Sequence, residues 1–472
     1  MHLKQTRLLY LIFVLIFFVS APVVIFYSTG WRYDFERKKI TKTGSLSLDS
    51  FPKGGDVFLN GKLQEQSFFR KLLFHKRIFQ VQEISSRTPS LIKNLIPDEY
   101  LIEIKKENYY PWQKKLNIEK EKTTFIKNIN LFLTKPGIKL LKESAIIDQK
   151  LSPDQKKIAY ISKDGGNYIL ELVDLKNEKI IPLYKSSALE PYISWSYNSE
   201  NILIKEKNNL IENYLIVPIN DPILFVSIKN LFPEINFTNL KWDEKNGSLL
   251  FGISQGSLYQ INFAQKTTKF LTTLDGTEYL VKNSFLYQTK NVKDQIYLEE
   301  TDLILNKNYL IALLPYSNDY KFLDFNFSFI ALLNTKNNYL ILVDPQIKDE
   351  DKSIILKTRA KFFEYNLSLN QFVYSDNFEI SSFDLKEKKK EIITRLSQEI
   401  NKSLFYNLGS SIIFNSEKSL YAIETDKRDK RNYFELLKVD KLTDFFATNS
   451  LKFLYIIGDI NGKSGLFKIQ IQ

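Results

Sequence analysis

The chain has 472 residues, a formal net charge of +12, 44% hydrophobic and 14% aromatic residues, two histidines and no cysteine. Without cysteine there is no disulfide, no thiolate nucleophile and no cysteine-based zinc site, and so few histidines leave a metal only carboxylate ligands. The length exceeds one ordinary core, so at least two domains are expected, and with only 16 glycines and 14 prolines long flexible linkers are not.

Leu8 to Tyr27 is the first element. These 20 residues carry no charge, and 15 of them are Leu, Ile, Phe or Val. At about 1.5 Å rise per residue a helix of that length reaches roughly 30 Å, the apolar thickness of a bilayer. On an insertion scale the 15 apolar side chains supply about −7 kcal/mol in total. A cleaved signal would have a shorter apolar run, and the one cut site, Val19-Ser20-Ala21, would put Pro22 beside the cut bond. Residues 1–30 therefore read as an uncleaved transmembrane anchor, with Tyr10, Tyr27, Trp31 and Tyr33 as an interfacial belt. Lys4 and Arg7 precede the span, and Arg32, Arg37, Lys38, Lys39 and Lys42 follow it. A simple positive-inside count would leave the C-terminal part in the cytosol, but long domains translocate largely regardless of flanking charge.

Residues 43–134 read as a small antiparallel β-sandwich. Leu46 and Leu48 alternate with polar residues, Pro52 to Gly55 turns the chain, Val57 and Leu59 alternate again, and Asn60-Gly61 signals a hairpin. Tyr100, Ile102 and Ile104 keep period two; Trp112, Lys114, Leu116 and Ile118 keep it more loosely. The stretch resembles the PEGA domain through Leu46, Leu48, Ser50, Pro52, Gly54, Asn60, Gly61, Lys62, Tyr100, Lys106, Tyr109 and Trp112. It departs from that family at Gly55 for Ala, and at Asp98 and Asn108 for Gly, and it inserts a basic, aromatic stretch between Leu63 and Arg87. The resemblance implies a surface-associated β-sandwich of interaction type, and it names no active site.

Residues 138–472 repeat. Apolar strand cores begin at Ile158, Ile202, Leu249, Phe285, Phe329, Phe372, Ile412 and Phe453, at intervals of 36 to 47 residues, and a second strand follows each about ten residues on. A period of roughly 40 to 50 with several strands per unit is the signature of a β-propeller. Eight blades are expected, with seven as the alternative. LSPDQKKIAY at Leu151, ISWSYNSENILI at Ile193 and LKWDEKNGSLLF at Leu240 resemble the TolB-like and WD40-like propeller repeat, with Gln155 and Ser199 departing from its glycine. The final unit stops after its second strand, so the segment around Gly137 to Ile147 is expected to supply the outer strand and close the ring.

None of the chemical motifs has its required context. Gly252-Ile253-Ser254-Gln255-Gly256 lies between two strands of one repeat, and both histidines, His2 and His75, precede it, so it reads as a hairpin and not a nucleophile elbow. Ser50 to Lys53, Ser90 to Lys93 and Lys42 to Gly44 have the wrong order for a penicillin-binding set. Asp459-Ile460-Asn461-Gly462 lacks the remaining ligands of a calcium loop and reads as a hairpin. Glu299-Glu300 and Asp349-Glu350-Asp351 read as surface loops, as do the charge runs at 386–390 and 426–431. No catalytic, cofactor-binding or metal residue is assigned.

The expected function is a membrane-anchored, extracytoplasmic binding or scaffold protein, not an enzyme. It would be held by Leu8 to Tyr27 and present a propeller to a protein or an anionic surface polymer rather than to nucleic acid. The outward orientation rests on the two resemblances. The alternative is a cell-wall glycan hydrolase with a carboxylate pair in the propeller channel.

Overall fold

A computed structural model describes residues 3–64, 86–208, 211–317, 319–323, 328–448 and 450–472. The N-terminal helix, Leu3–Ser28, contains Pro22. Its stretch Leu9–Ser28 has a mean hydropathy of 2.8 and is not buried anywhere in the fold, so it is long and apolar enough to cross a membrane. Gly30, at φ +86°, ends the helix in the left-handed conformation that a Cβ disfavours. A hairpin follows, Trp31–Asp34 against Lys39–Lys42. The Arg32 guanidinium lies 3.3 Å over the Tyr27 ring, and Phe26 stacks on Trp31 at 5.7 Å.

The next two sheets face one another. One has the order Ser90–Leu95, Gly44–Phe51, Thr123–Asn130, and its last pair runs parallel where the sequence pattern predicts an antiparallel sandwich; the other has the order Lys62–Leu63, Asp56–Leu59, Asp98–Lys105, Trp112–Ile118. Alternation puts Leu46, Leu48, Val57, Ile102, Ile104, Trp112 and Ile126 into one shared core. Asn60 and Gly61, at φ 48° and 76°, make the expected hairpin turn. Two positions that depart from the resemblance have local constraints. A Cβ on Gly55 would come within 2.5 Å of Ile104 Cγ2. Asn108 holds φ 66°, a left-handed conformation that Asn tolerates better than most residues.

The strands of the sandwich run between two poles. Gly44, Leu95, Asp98, Ile118 and Thr123 lie at one end of their registers, and Phe51, Lys105, Trp112 and Asn130 at the other. The N-terminal hairpin joins the first pole: Thr43 N–H donates to the Gly30 carbonyl at 2.9 Å, and Arg37 pairs with Asp98 at 3.1 Å. The second pole, together with the edge strands Trp112–Ile118 and Thr123–Asn130 as far as Lys115 and Phe125, meets the remainder of the chain. Eight-residue strands at about 3.3 Å per residue separate the poles by roughly 26 Å.

From residue 137 onward, the described residues form eight four-stranded antiparallel sheets. Seven are built from consecutive strands, in blades spanning 145–186, 189–227, 238–273, 279–314, 320–359, 362–395 and 400–438, numbered 1 to 7 here. The eighth takes Lys441–Ala447, Phe453–Ile460 and Lys463–Gln470, and Gly137–Glu143 pairs with the last of these from the N-terminal side. This is the closure expected from the sequence. The repeated apolar cores are the second strand of each blade, and their followers are the third.

Each pair of neighbouring blades shares its own apolar cluster. Blades 1 and 2 meet through Leu170, Leu172, Ile193 and Ile204, and the ring closes where Ile158 and Tyr160 of blade 1 pack on Tyr455 and Ile457 of blade 8. The ring is an eight-bladed β-propeller. Gly458 and Gly465 pair directly across blade 8, where Cβ atoms would run into the carbonyls of Lys441 and Lys142 on the flanking strands. Gln155 and Ser199, which replace the glycine of the repeat motif, keep its left-handed turn at φ 57° and 58°.

Candidate functional site

Two assemblies of polar side chains stand out, and the first is the joint between sandwich and propeller. In Trp112–Ile118, burial alternates strictly, so Lys114 occupies the apolar face between Trp112 and Leu116. Its ammonium, with no exposed surface, lies 2.9 Å from Glu424 Oε2 and donates to the Asp426 carbonyl at 2.7 Å. The Trp112 indole donates to Glu424 Oε1 at 3.1 Å. Gln113 and Asn432 bond reciprocally, Gln113 N–H to Oδ1 at 3.3 Å and Asn432 Nδ2 to the Gln113 carbonyl at 3.0 Å; Lys115 N–H donates to Asp429 Oδ2 at 2.7 Å. Burial works to raise the Asp426 carboxyl, but the Arg428 guanidinium and Lys114 outweigh it and hold that carboxyl below the usual carboxylate range.

Beside this, Asn130 Nδ2 donates to the hydroxyls of Ser410 and Ser411 at 2.9 and 2.7 Å, and Asn407 donates to Asn130 Oδ1 at 2.6 Å. Phe132 enters the cluster shared by blades 7 and 8, and Tyr110 stacks on Phe434 at 5.4 Å. A cavity of about 210 Å³ remains, lined in part by Trp112, Asn130, Glu424 and Phe434. Its polar groups are spent on one another, so the assembly acts as a fixed joint.

The second assembly lies on the innermost strands, the first of each blade. Four of these strands shift register just before a charged residue, placing Asp148, Lys241, Lys402 and Asp444 directly after a bulge. Lys402 Nζ donates to Asp444 Oδ1 at 2.7 Å and to the Phe445 carbonyl at 2.8 Å, and Gln149 Nε2 donates to Asp444 Oδ2 at 3.2 Å. On blade 6, Glu364 Oε2 accepts the Phe405 N–H at 2.9 Å. Blades 6, 7, 8 and 1 thus carry a continuous acid–lysine arc.

On its half-buried strand, the Glu364 carboxyl is pushed up to about 7 by desolvation, against the pull of the Phe405 N–H and Lys402. Burial, with the Asp444 charge as a smaller cause, also raises Asp148. Across the ring, Lys241 Nζ donates to the Tyr279 carbonyl at 2.6 Å, and the Tyr279 hydroxyl donates to the Asn239 carbonyl at 2.8 Å. A carboxyl raised to about 7 on the same arc as a second acid, Asp444, is the raw material of acid–base chemistry. Here, however, Asp444 already accepts from Lys402, Gln149 and the Phe445 N–H, which leaves it a poor base or nucleophile.

The motif residues fall as follows. Ser254 ends a strand, and Gln255 and Gly256 at φ 48° and 71° turn the chain into the next, the expected hairpin. Asn461 and Gly462 do the same between the last two strands. Ser50 is spent on Thr88 Oγ1 at 2.6 Å. Asp349, Glu350 and Asp351 lie in a loop, as read. Glu299 and Glu300 do not.

Both glutamates are buried in the strand Gln295–Asp302, where neighbouring side chains take opposite faces. Glu299 binds Gln288 Nε2 at 2.8 Å and Lys290 at 2.8 Å; Glu300 binds the Tyr287 hydroxyl at 3.0 Å and Lys348 at 3.1 Å. They form neither a surface loop nor a facing pair. The charge run at 426–431 is also more than a solvated loop tip, because its acids and Arg428 hold the sandwich. His2, His75 and inserted residues 65–85 lie outside the described residues. Among the described residues, no group of three or more histidines and acids is placed to hold a metal.

Sequence reasoning missed Lys114, Asn130, Asp426 and Asn432. Only Lys114 left a signal, as a charge in the apolar register of its strand.

No family model matches this sequence, and no curated protein does. Solved structures of similar fold include a eukaryotic initiation factor, at 10% identity and a TM-score of 0.48 over 68% of this chain and 90% of that one. The WD40 repeats of RRP9 match at 10% identity and 0.40, over 71% and 97%. TolB from Acinetobacter baumannii matches at 15% and 0.33, over 52% and 57%. These likenesses concern fold alone.

Proposed function

We propose that this chain is a membrane-tethered binding scaffold and not an enzyme. The apolar helix holds it to a bilayer, the PEGA-like sandwich is a strut, and the propeller meets a protein or anionic surface polymer on the extracytoplasmic side. One observation carries this reading: helix and propeller attach to opposite poles of a single sandwich, and the propeller pole is fixed by a buried ion pair and reciprocal backbone bonds. A free-standing propeller needs no such joint; one held at a set distance from a surface does. The test is fractionation of the full-length chain. Uncut protein is expected in the carbonate-washed membrane pellet, with its propeller open to protease added from outside. Uncut protein in the aqueous phase overturns the tether, and a propeller protected in intact cells overturns the orientation.

A second reading, hydrolysis of wall glycan at the inner ring, is favoured by the raised carboxyl of Glu364. It requires that Glu364→Gln abolish a glycan-cleaving activity of the wild-type chain. The ties on Asp444 argue against it.

A further inference from the structure

The segment that leaves the helix forms a sheet of its own. Among the described residues, Trp31–Asp34 pairs only with Lys39–Lys42, and a lone two-stranded hairpin is marginal in water. Contacts at both ends hold this one across the first pole of the sandwich. At its base, Lys42 pairs with Glu121, whose N–H donates to the Thr43 carbonyl at 3.0 Å. At its tip, Arg37 reaches Asp98 at 3.1 Å and donates to the Pro97 carbonyl at 2.8 Å. Asp34 fixes the turn, its Oδ1 accepting from the N–H groups of Glu36 and Arg37, both at 3.0 Å.

Strand alternation gives the hairpin two faces. The register puts Arg32, Asp34, Lys39 and Thr41 on one. Arg37 bridges the buried Asp34 to Asp98, so this is the face turned to the sandwich. Trp31, Tyr33, Ile40 and Lys42 share the other. That face is open: Tyr33 is 46% and Ile40 54% exposed, and Phe35 in the turn, edge-on to the Tyr33 ring at 5.0 Å, is 81% exposed.

The open face continues the surface of the helix. Phe26 stacks on Trp31 at 5.7 Å. It lies two residues before the end of the apolar stretch Leu9–Ser28, about 3 Å along the axis. Trp31 therefore sits where hydrocarbon gives way to headgroups if that stretch spans a bilayer. Four steps of strand at about 3.3 Å keep Phe35 within roughly 13 Å of it. Rings and an isoleucine in one exposed row at that level suit the membrane interface, which favours tryptophan and tyrosine.

The charges of the hairpin point the same way. Arg37 and Lys42 are spent on Asp34, Asp98 and Glu121. Arg32, stacked over Tyr27 and donating to its carbonyl, has no acidic partner among the described residues, and neither do the exposed Lys38 and Lys39 in and beside the turn. Only Glu36 opposes these three within the hairpin. Long lysine stems let the ammonium groups reach phosphates alongside an apolar face.

We propose that the hairpin Trp31–Lys42 lies in the headgroup layer, with Tyr33, Phe35 and Ile40 toward lipid, and selects anionic phospholipid through Lys38 and Lys39. This inference rests on the tethered-scaffold reading.

The chain has no cysteine, so I40C carries a unique small fluorophore on the open face. The full-length variant is placed in phosphatidylcholine nanodiscs doped with phosphatidylglycerol or with phosphatidylcholine, each bearing the same nitroxide near its headgroup. Both lipids are expected to quench. Labelled phosphatidylglycerol should do so at about one-third the mole fraction or less, since each lysine at an anionic surface is worth up to about fivefold. K38Q with K39Q is expected to bring phosphatidylglycerol level with phosphatidylcholine and to leave quenching by the latter unchanged. No quenching by either lipid would put the face in water or against protein. Equal quenching by both in the lysine-bearing chain would remove the selection, and a preference that survives the loss of both lysines would place it elsewhere. Each of these three outcomes overturns the proposal. Failure of the tether shows separately, as chain that does not co-elute with the nanodiscs.

Discussion

Replacing Lys114 by methionine tests whether the joint fixes the propeller. The ammonium is fully enclosed, 2.9 Å from Glu424 Oε2, and methionine keeps the unbranched apolar stem while withdrawing the charge. Glu424 is 12% exposed and would retain the Trp112 indole and the Asn432 amide. Removing one partner of a buried pair costs about 3–5 kcal/mol. The bonds that Glu424 keeps put Lys114→Met at the lower end, about 3 kcal/mol, roughly a hundredfold in the docking equilibrium. Adding Glu424→Leu removes the orphaned charge and is expected to recover at least half of the loss, because a buried pair exchanged for apolar groups is often near neutral. Calorimetry of the full chain in detergent measures both. The single variant should bring the sandwich transition down by several degrees and separate it from that of the propeller. A single variant that unfolds like the wild type, or a double variant that costs the sum of its parts, refutes the reasoning.

Four further outcomes follow from named contacts. Glu364 has its folded pKa raised to about 7 from 4.5, so its contribution to stability is complete below about pH 4.5 and is lost as pH rises through 7; Glu364→Gln should melt higher than wild type at pH 8 and about level with it at pH 4.5, and equal melting at both would remove the desolvation argument. Gly55→Ala should cost about 1–3 kcal/mol by overpacking against Ile104 Cγ2, as read in thermal melts, and unchanged melting would show that the contact yields without cost. Gly465→Ala drives a Cβ into the Lys142 carbonyl, so hydrogen exchange should rise selectively in Gly137–Glu143 and Lys463–Gln470; uniform exchange would show that blade 8 closes without that glycine. Arginines at Leu15 and Phe18, each costing about 2.5–3.5 kcal/mol at mid-bilayer, should move the chain into the soluble fraction, and unchanged pelleting would show that the helix is not what holds it.

The propeller was legible because each blade repeats one apolar strand pair at a nearly fixed interval, and because a last unit ending after its third strand demands a partner from upstream. Gly137–Glu143 answers that demand. The hairpins at Gln255-Gly256 and Asn461-Gly462 were legible because turn chemistry is local. The joint was not, since every bond in it links residues about 280 to 320 positions apart, and no local pattern encodes a pairing of Asn130 with Ser411. Glu299 and Glu300 misled for the related reason that adjacent acids read as a loop until Lys290 and Lys348 are seen beside them. Lys114 is the instructive case. Its place between Trp112 and Leu116 loosened the period-two pattern, and a charge on the buried face of a strand asks for a partner that the strand itself cannot supply.

The polarity of the joint bears on what the propeller can present. Two apolar surfaces pressed together tolerate rotation and slippage, because dispersion and desolvation are nearly indifferent to direction. Reciprocal bonds between Gln113 and Asn432, the Lys115 to Asp429 bond and the Asn130 pair to Ser410 and Ser411 are made in one alignment of sandwich over blade 7. Any other alignment strands the charge of Lys114 and leaves Asn130 unpaired in a dry contact, each a cost of more than 1 kcal/mol. The joint therefore sets the rotation of the ring about the strut as well as its height. With eight interblade cores making the ring stiff, every blade then has one position relative to the sandwich.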